Sequence, residues 1–228
     1  MRHRLYAFLF ASVPLLALSC NAYGLTISES LHSAVLGSKD ANPESTRAVH
    51  QALEAVGVKN TQEIPVKVMN RVGPLLAGDD LLCFTADGIW LNEDALKEVD
   101  EKEKTFLYHH EAVHYKEKHH RQFIMSLLPL PVIGSVSYCI AKQEINAPVA
   151  CLVALVALTA YIKQCILPDR INQELQADGK AAQTLSRNGQ QEVVDTVLKR
   201  IDPSDGKASV WFSSNKERHA IITSALQK

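Results

Sequence analysis

The sequence has no surplus of either charge and no pair of cysteines at metal-binding spacing. Its 24 Lys and Arg residues nearly balance its 25 Asp and Glu residues, which leaves a formal net charge of -1. Without a basic surplus the chain lacks the electrostatic footprint of nucleic-acid binding, so no nucleic-acid partner is expected. Its 5 cysteines form no CxxC pair, which argues against a thiolate zinc site and against a disulfide framework.

The apolar run at the N-terminus is too short to be predicted as a membrane-spanning helix. Residues 5–19 are mostly apolar, follow two arginines and precede Ala22, a small residue suited to cleavage. A spanning helix needs about 20 apolar residues. We therefore predict that residues 1–22 are a cleaved signal sequence, with an N-terminal anchor and a lipidated Cys20 as the alternatives.

Residues 23–228 are expected to form one α+β domain that is rich in helix and contains a small antiparallel sheet. Asn42-Pro43 is a start signal for the first helix, and Asp87-Gly88 predicts a tight turn between two strands. Predicted strands cover 64–69, 81–85 and 88–91, and predicted helices cover 44–56, 98–121, 169–187, 190–201 and 217–226.

Two apolar segments, 123–141 and 147–167, are joined by a short polar link. At 1.5 Å per residue, each helix would cover roughly 30 Å, the thickness of a bilayer core. We predict an apolar helical hairpin over 123–167 that crosses or dips into a membrane, with lipid as a partner. A pair of buried core helices is the alternative, because prolines interrupt the first segment and Lys163 lies in the second.

The most specific motif is His110-Glu111-Ala112-Val113-His114. Residues four apart in a helix lie on one face, so His110 and His114 are placed to share one zinc ion (Zn2+). The Glu111 side chain cannot easily bind the ion from the direction of the two histidines. Glu111 is therefore the candidate base that activates a water. The alternative is a solvated helix with a chance match, because further histidines lie nearby: His109, His119 and His120.

A catalytic zinc site takes three protein ligands, so a third donor must come from elsewhere in the chain. Glu174-Leu175-Gln176-Ala177-Asp178 places two acids four residues apart on a predicted helix. Glu174 is the candidate third ligand, and Asp178 would accept a hydrogen bond from a ligand imidazole and orient it. The alternative is two solvated acids on a polar helix.

With these motifs and the apolar hairpin between them, residues 64–226 resemble the HtpX-type heat-shock proteases and the CAAX-prenyl endopeptidases. That family consists of membrane or envelope zinc enzymes of the gluzincin class. The resemblance implies a zincin-like domain, protein or peptide substrates, and a strand hairpin before the motif helix. It also implies the roles of five residues: zinc ligands His110, His114 and Glu174, base Glu111 and supporting Asp178.

The sequence departs from this family near its C-terminus. Arg218 matches an arginine of the family, and we expect it to stabilise the oxyanion. The family's His-Pro pair is replaced by Phe212-Ser213, which puts the role of a C-terminal histidine in doubt, although His219 could substitute.

The expected function is a zinc endopeptidase at or near a membrane, with an extended substrate pairing along the strand at 88–92. Two alternatives remain: an inactive chaperone or scaffold that keeps the fold, and a hairpin membrane adaptor without metal.

We expect the signal sequence to deliver the domain to the periplasm or an equivalent exterior compartment of the cell envelope, because the first segment usually dominates orientation. Four basic residues on the catalytic side of the hairpin favour the cytosol instead: Lys116, Lys118, Arg121 and Arg170.

Overall fold

The computed structural model describes residues 39–69, 82–84, 88–119, 122, 129–144, 147–204 and 214–227. The predicted signal sequence, Asp87 of the predicted turn and Phe212-Ser213 lie outside these residues.

The described residues are mostly helical, and the prediction of a helix-rich domain is confirmed. In chain order the helices are α1 Pro43–Ala55, α2 Glu93–Leu96, α3 Glu101–Glu117, α4 Pro129–Glu144, α5 Ala147–Tyr161, α6 Leu167–Arg187, α7 Gln191–Arg200 and α8 Asn215–Ala225. The strands are β1 Val66–Val68, β2 Leu82–Phe84 and β3 Ile89–Leu91. A 3-10 turn covers Thr61–Glu63, and a π-helical turn, Ile162–Ile166, joins α5 to α6.

Side chains that accept hydrogen bonds from the first turn mark several helix starts. Asn42 accepts from the backbone N–H of Ser45 at 2.8 Å, and Pro43 follows as the first helical residue, so the predicted start of α1 is confirmed. Asp100 accepts from the backbone N–H of Lys102 at the start of α3, at 2.9 Å. α8 begins with a capping box in which Ser214 and Glu217 bond each other's backbone N–H groups.

The sheet is mixed, and the prediction of an antiparallel sheet was wrong for its first pair. The strand order is β1-β3-β2, with β1 parallel to β3 and β2 antiparallel to β3. Strand direction depends on the path of the connecting chain, which hydrophobic alternation does not encode. β3 is therefore the central strand, and the prediction that residues 88–92 form the substrate-binding edge was also wrong. Backbone hydrogen bonds from residues 39–41 cover the outer edge of β1.

The second apolar segment and the polar helix after it form one continuous helix of 40 residues, Pro148–Arg187. Residues 147–167 and 169–187 were predicted as separate segments on either side of Pro168, whose ring would meet the carbonyl of residue 164 in a regular α-helix. Residue 164 lies within the π-helical turn, where the backbone spacing differs and the chain continues. α4 packs along α5, and Pro129 is tolerated because it is the first residue of α4.

α3 contributes buried side chains to two hydrophobic clusters. One cluster joins α3 to α1 and the sheet, and its buried members include Leu53, Ile89 and Val113. The other joins α3 to α6, α7 and α8, and includes Phe106 and Leu185. A helix that is packed into two clusters holds its side chains in fixed positions, which suits a site that needs defined geometry.

Candidate active site

His110 and His114 lie on one face of α3, as their spacing predicts, and both imidazoles are buried. Their ring centroids are 4.6 Å apart, and the two Nε2 atoms approach to 3.0 Å. Two Nε2 atoms at this distance point into a common space rather than into solvent.

α6 carries the acidic pair to the same place. Small buried residues on the inner face of α6 let it approach α3 closely, among them Ala177 and Ala181. Glu174 Oε2 lies 3.2 Å from His110 Nε2 and 3.5 Å from His114 Nε2. The structure thus brings together three side chains that are 64 and 60 residues apart along the chain.

The separations of these three donor atoms match a tetrahedral metal site. Zn–N and Zn–O bonds of about 2.0–2.1 Å at tetrahedral angles would place the ligand atoms about 3.3 Å apart. The observed separations are 3.0, 3.2 and 3.5 Å. Two imidazoles and one carboxylate are also a donor set that zinc accepts. His110, His114 and Glu174 therefore fit the ion.

Asp178 holds the other nitrogen of His110. The Nδ1–H of His110 donates to Asp178 Oδ1 at 2.9 Å, and Asp178 is fully buried. This bond fixes the imidazole with its Nε2 facing Glu174. Burial alone would lower the pKa of His110, but the hydrogen bonds to Asp178 and Glu174 outweigh it and raise the pKa to about 10.

Arg218, on α8, is the second partner of Asp178. Its Nε donates to Asp178 Oδ2 at 2.7 Å, and its Nη2 donates to Oδ1 at 3.2 Å. Burial would raise the pKa of Asp178, but the hydrogen bond from His110 and the charges of His110 and Arg218 hold it below its usual range. His219, beside Arg218, is not one of the grouped metal donors found among the described residues.

His114 has the opposite electrostatic character to His110. Burial lowers its pKa to about 4, against the hydrogen bond to Glu174 and with the help of the neighbouring His110 charge. The two imidazoles are therefore not both doubly protonated, and the neutral imidazole of His114 presents a lone pair. The carboxylates of Glu174 and Asp178 around this pair favour a cation at its centre.

Glu111 lies beside the donors without being one of them. Its Oε1 is 4.0 Å from His110 Nε2, and its side chain is 14% exposed. The next side chain along α3 thus brings a carboxylate to the rim of the site, open enough to meet water. This placement suits proton transfer better than metal binding.

Two further contacts at the site were not predicted from the sequence. Arg170 Nη2 lies 3.4 Å from Glu174 Oε1, which leaves Oε2 as the oxygen that faces the histidines. The i to i+4 spacing of these residues on a predicted helix was the available signal. His119 Nδ1 lies 2.8 Å from His114 Nδ1. Helical spacing could not show that contact, because α3 ends before His119.

Two histidines four residues apart on a buried helix, with a glutamate beside them and a carboxylate donor from a second helix, define the site of a metal-dependent peptidase. The model of peptidase family M48 matches residues 42–219. The chain belongs to peptidase family M48. This membership implies a metallopeptidase that acts on protein or peptide substrates. No curated protein and no solved structure matches the chain.

Proposed function

We propose that the protein is a zinc-dependent endopeptidase that works at a membrane surface. His110, His114 and Glu174 would hold the ion, and Glu111 would act as the base. The observation that carries this proposal is the triangle of donor atoms at 3.0, 3.2 and 3.5 Å, built from two helices. The likeness to HtpX-type and CAAX-prenyl endopeptidases within family M48 is part of the proposal.

The chemistry divides between the ion and the side chains of this chain. A zinc ion held by the three donors would lower the pKa of water and polarise the scissile carbonyl. Glu111 takes a proton from the attacking water and later passes it to the leaving amine. Asp178 keeps His110 in the tautomer whose Nε2 lone pair faces the other donors.

Arg218 has two proposed roles that differ in what the side chain touches. Its two hydrogen bonds to Asp178 favour a supporting role, in which Arg218 holds the carboxylate that holds His110. The role predicted from the family, stabilisation of the oxyanion, remains a separate proposal because the Arg218 side chain is partly exposed, at 33%.

The substrate would pair with β2 rather than with β3. β3 is flanked by β1 and β2, whereas β2 pairs on one side only among the described strands. β2 also packs against α3, the helix that carries His110 and His114. An extended peptide added there would lie along the motif helix.

The membrane part of the proposal rests on an exposed apolar surface. Large apolar side chains that are 41–62% exposed lie on the hairpin helices: Val132, Leu152, Val153, Leu155 and Val156. A water-facing surface of this kind is costly, and contact with lipid removes the cost. The exterior location rests on the predicted signal sequence, and reporter activity confined to the cytosol in a fusion after Lys228 would contradict it.

The first test separates an enzyme from an inactive scaffold. We expect the purified protein to hold close to one zinc per chain, measured by metal analysis. Glu111→Gln should leave the zinc content and the fold unchanged. It should lower the rate of casein cleavage by about 100-fold or more, because proton transfer is lost. Glu101→Gln, on the exposed first turn of the same helix, is the matched control and should cleave normally.

Two outcomes would contradict these assignments. Unchanged cleavage by Glu111→Gln would remove Glu111 as the base. Wild-type zinc content in Glu174→Ala would remove Glu174 as a ligand.

A further inference from the structure

His119 is buried directly behind His114. α3 ends at Glu117, and Lys118 adopts a left-handed conformation with φ 58° and ψ 35°. In a continuous helix, the residue five positions after His114 would be rotated by about 140° away from it. The left-handed residue instead turns the chain back, so that His119 is only 2% exposed and its ring centroid lies 4.8 Å from that of His114.

Both ring nitrogens of His119 have partners. Nδ1 lies 2.8 Å from His114 Nδ1, and Nε2 lies 3.1 Å from Oε1 of Gln176. Gln176 is on α6, two residues after Glu174. A line of three polar side chains therefore runs from the back of His114 to an exposed residue.

The proton positions along this line are determined by one requirement. A neutral imidazole has one N–H and one lone pair, and His114 needs its lone pair on Nε2 to bind a metal. Its N–H is then on Nδ1 and donates to His119 Nδ1. The N–H of His119 is consequently on Nε2 and donates to Gln176 Oε1.

The reverse direction would block the metal. If the amide nitrogen of Gln176 donated to His119 Nε2, His119 would donate from Nδ1 to His114 Nδ1. His114 would then carry its proton on Nε2, where the metal must bind. The orientation of the Gln176 amide is thus coupled to the tautomer that His114 adopts.

We propose that His119 is a positioning residue that holds His114 in the metal-binding tautomer, and that Gln176 sets the direction of the hydrogen bonds. This inference rests on the proposed function, since it requires a metal at the three donors. The neutral imidazole of His119 and the amide of Gln176 would then support His114, as the carboxylate of Asp178 supports His110. Partners of this kind contribute about 10–100-fold to metal affinity.

The test measures the zinc dissociation constant of the full chain by competition with a chromophoric chelator. We expect His119→Phe and Gln176→Leu to weaken zinc binding by about 10–100-fold. Gln176→Glu should bind zinc at least as tightly as wild type, because a carboxylate only accepts and fixes the direction of the bonds. Gln176 is exposed, so neither of its variants should change the melting temperature of the metal-free protein.

His50→Phe is the matched control. His50 is a buried histidine on α1 whose Nε2 lies 3.0 Å from the backbone oxygen of Ile64, away from the donors. The His50→Phe variant should bind zinc with wild-type affinity even if its melting temperature is lower.

Wild-type affinity in Gln176→Leu would overturn the proposal, and so would equal losses in Gln176→Leu and Gln176→Glu. The Gln176 pair decides the question even if His119→Phe does not fold. Failure of the proposed function is distinguishable, because a wild-type protein without a metal site would bind no zinc, and one with a metal site but no activity would bind zinc without cleaving casein.

Discussion

The two proposed histidine ligands are held by partners of opposite chemistry. His110 donates to a buried carboxylate, Asp178, whose charge is balanced by Arg218. His114 contacts the ring of His119 on its far side, and burial lowers its pKa. One ligand is therefore anchored by charge and the other by the direction of hydrogen bonds, so substitutions on the two sides should have different consequences.

Asp178 and Arg218 allow the two proposed roles of Arg218 to be separated. Asp178→Asn should lower zinc affinity by about 10–100-fold, because the amide carries no charge and its nitrogen cannot accept the Arg218 Nε–H that Oδ2 accepts in the wild type. If Arg218 acts through Asp178, Arg218→Met should also weaken zinc binding. If it stabilises the oxyanion, Arg218→Met should lower kcat and leave zinc affinity unchanged.

The control for this pair is Lys102→Met. Lys102 forms an ion pair with Glu192 in which both side chains are exposed, at 44% and 73%. Its loss should change neither zinc affinity nor kcat. A fall in zinc affinity in this variant would show that the assay reports general damage rather than the Asp178 contact.

The end of α3 is set by a residue that sequence rules do not favour there. The left-handed region is costly for residues other than glycine, and helices often place glycine at this point. Lys118 occupies it here, and its backbone N–H is satisfied by the carbonyls of His114 and Tyr115. The strain is tolerated because the turn places His119 in the interior.

We expect Lys118→Gly to raise the free energy of unfolding by up to about 1 kcal/mol, since glycine adopts a positive φ without steric cost. Lys118→Val should lower it by about 1–2 kcal/mol, because a branched side chain fits that region poorly. Chemical denaturation of the metal-free protein measures both.

Lys116→Gly provides a control of opposite sign. Lys116 lies within α3, where glycine costs about 0.5–1 kcal/mol, and its Nζ also donates to the backbone oxygen of Val56. Stabilisation by both glycine variants would mean that the effect is not due to the left-handed conformation of Lys118.

Helical spacing accounts for what the sequence could predict at this scale. Four-residue spacing places His110 with His114 and Glu174 with Asp178, and both pairs lie on single faces in the structure. The left-handed Lys118 and the helix that continues through Pro168 break local rules, so they were not predicted. The parallel pairing of β1 with β3 is a property of the chain path, which local patterns do not contain.

Across the whole molecule, the apolar residues divide into two kinds of surface. Among the described residues, α1, α3, α6 and the sheet contribute apolar side chains to two buried clusters, whereas the large exposed apolar side chains lie on the hairpin helices. The candidate span in Pro148–Arg187 has only 11% of its most apolar window buried. A core helix would be mostly buried, so this distribution favours contact with lipid.

We expect a chain of residues 23–228 to float with lipid vesicles in a density gradient, because the hairpin presents apolar surface without help from residues 1–22. Replacing Leu152, Leu155 and Val156 by serine should move most of it to the soluble fraction, since these side chains are 59–61% exposed. Isoleucine at the two leucine positions keeps the apolar surface and should leave flotation unchanged. If the serine variant floats as much as the unsubstituted chain, the hairpin is not the membrane contact.

The continuous helix through α5 and α6 also sets the distance between the candidate metal ligands and the end of the apolar stretch. Glu174 lies two turns beyond Leu167, where the apolar stretch ends, which is about 10 Å along the helix axis at 1.5 Å per residue. With the hairpin in the bilayer and α5 along the bilayer normal, the ligand atoms would stand at that level above the lipid. A protein anchored in the same bilayer would thus present a bond about three extended residues outside its own anchor. The distance of a peptide bond from the lipid surface would then restrict which bonds are cleaved, in addition to the side chains around each bond.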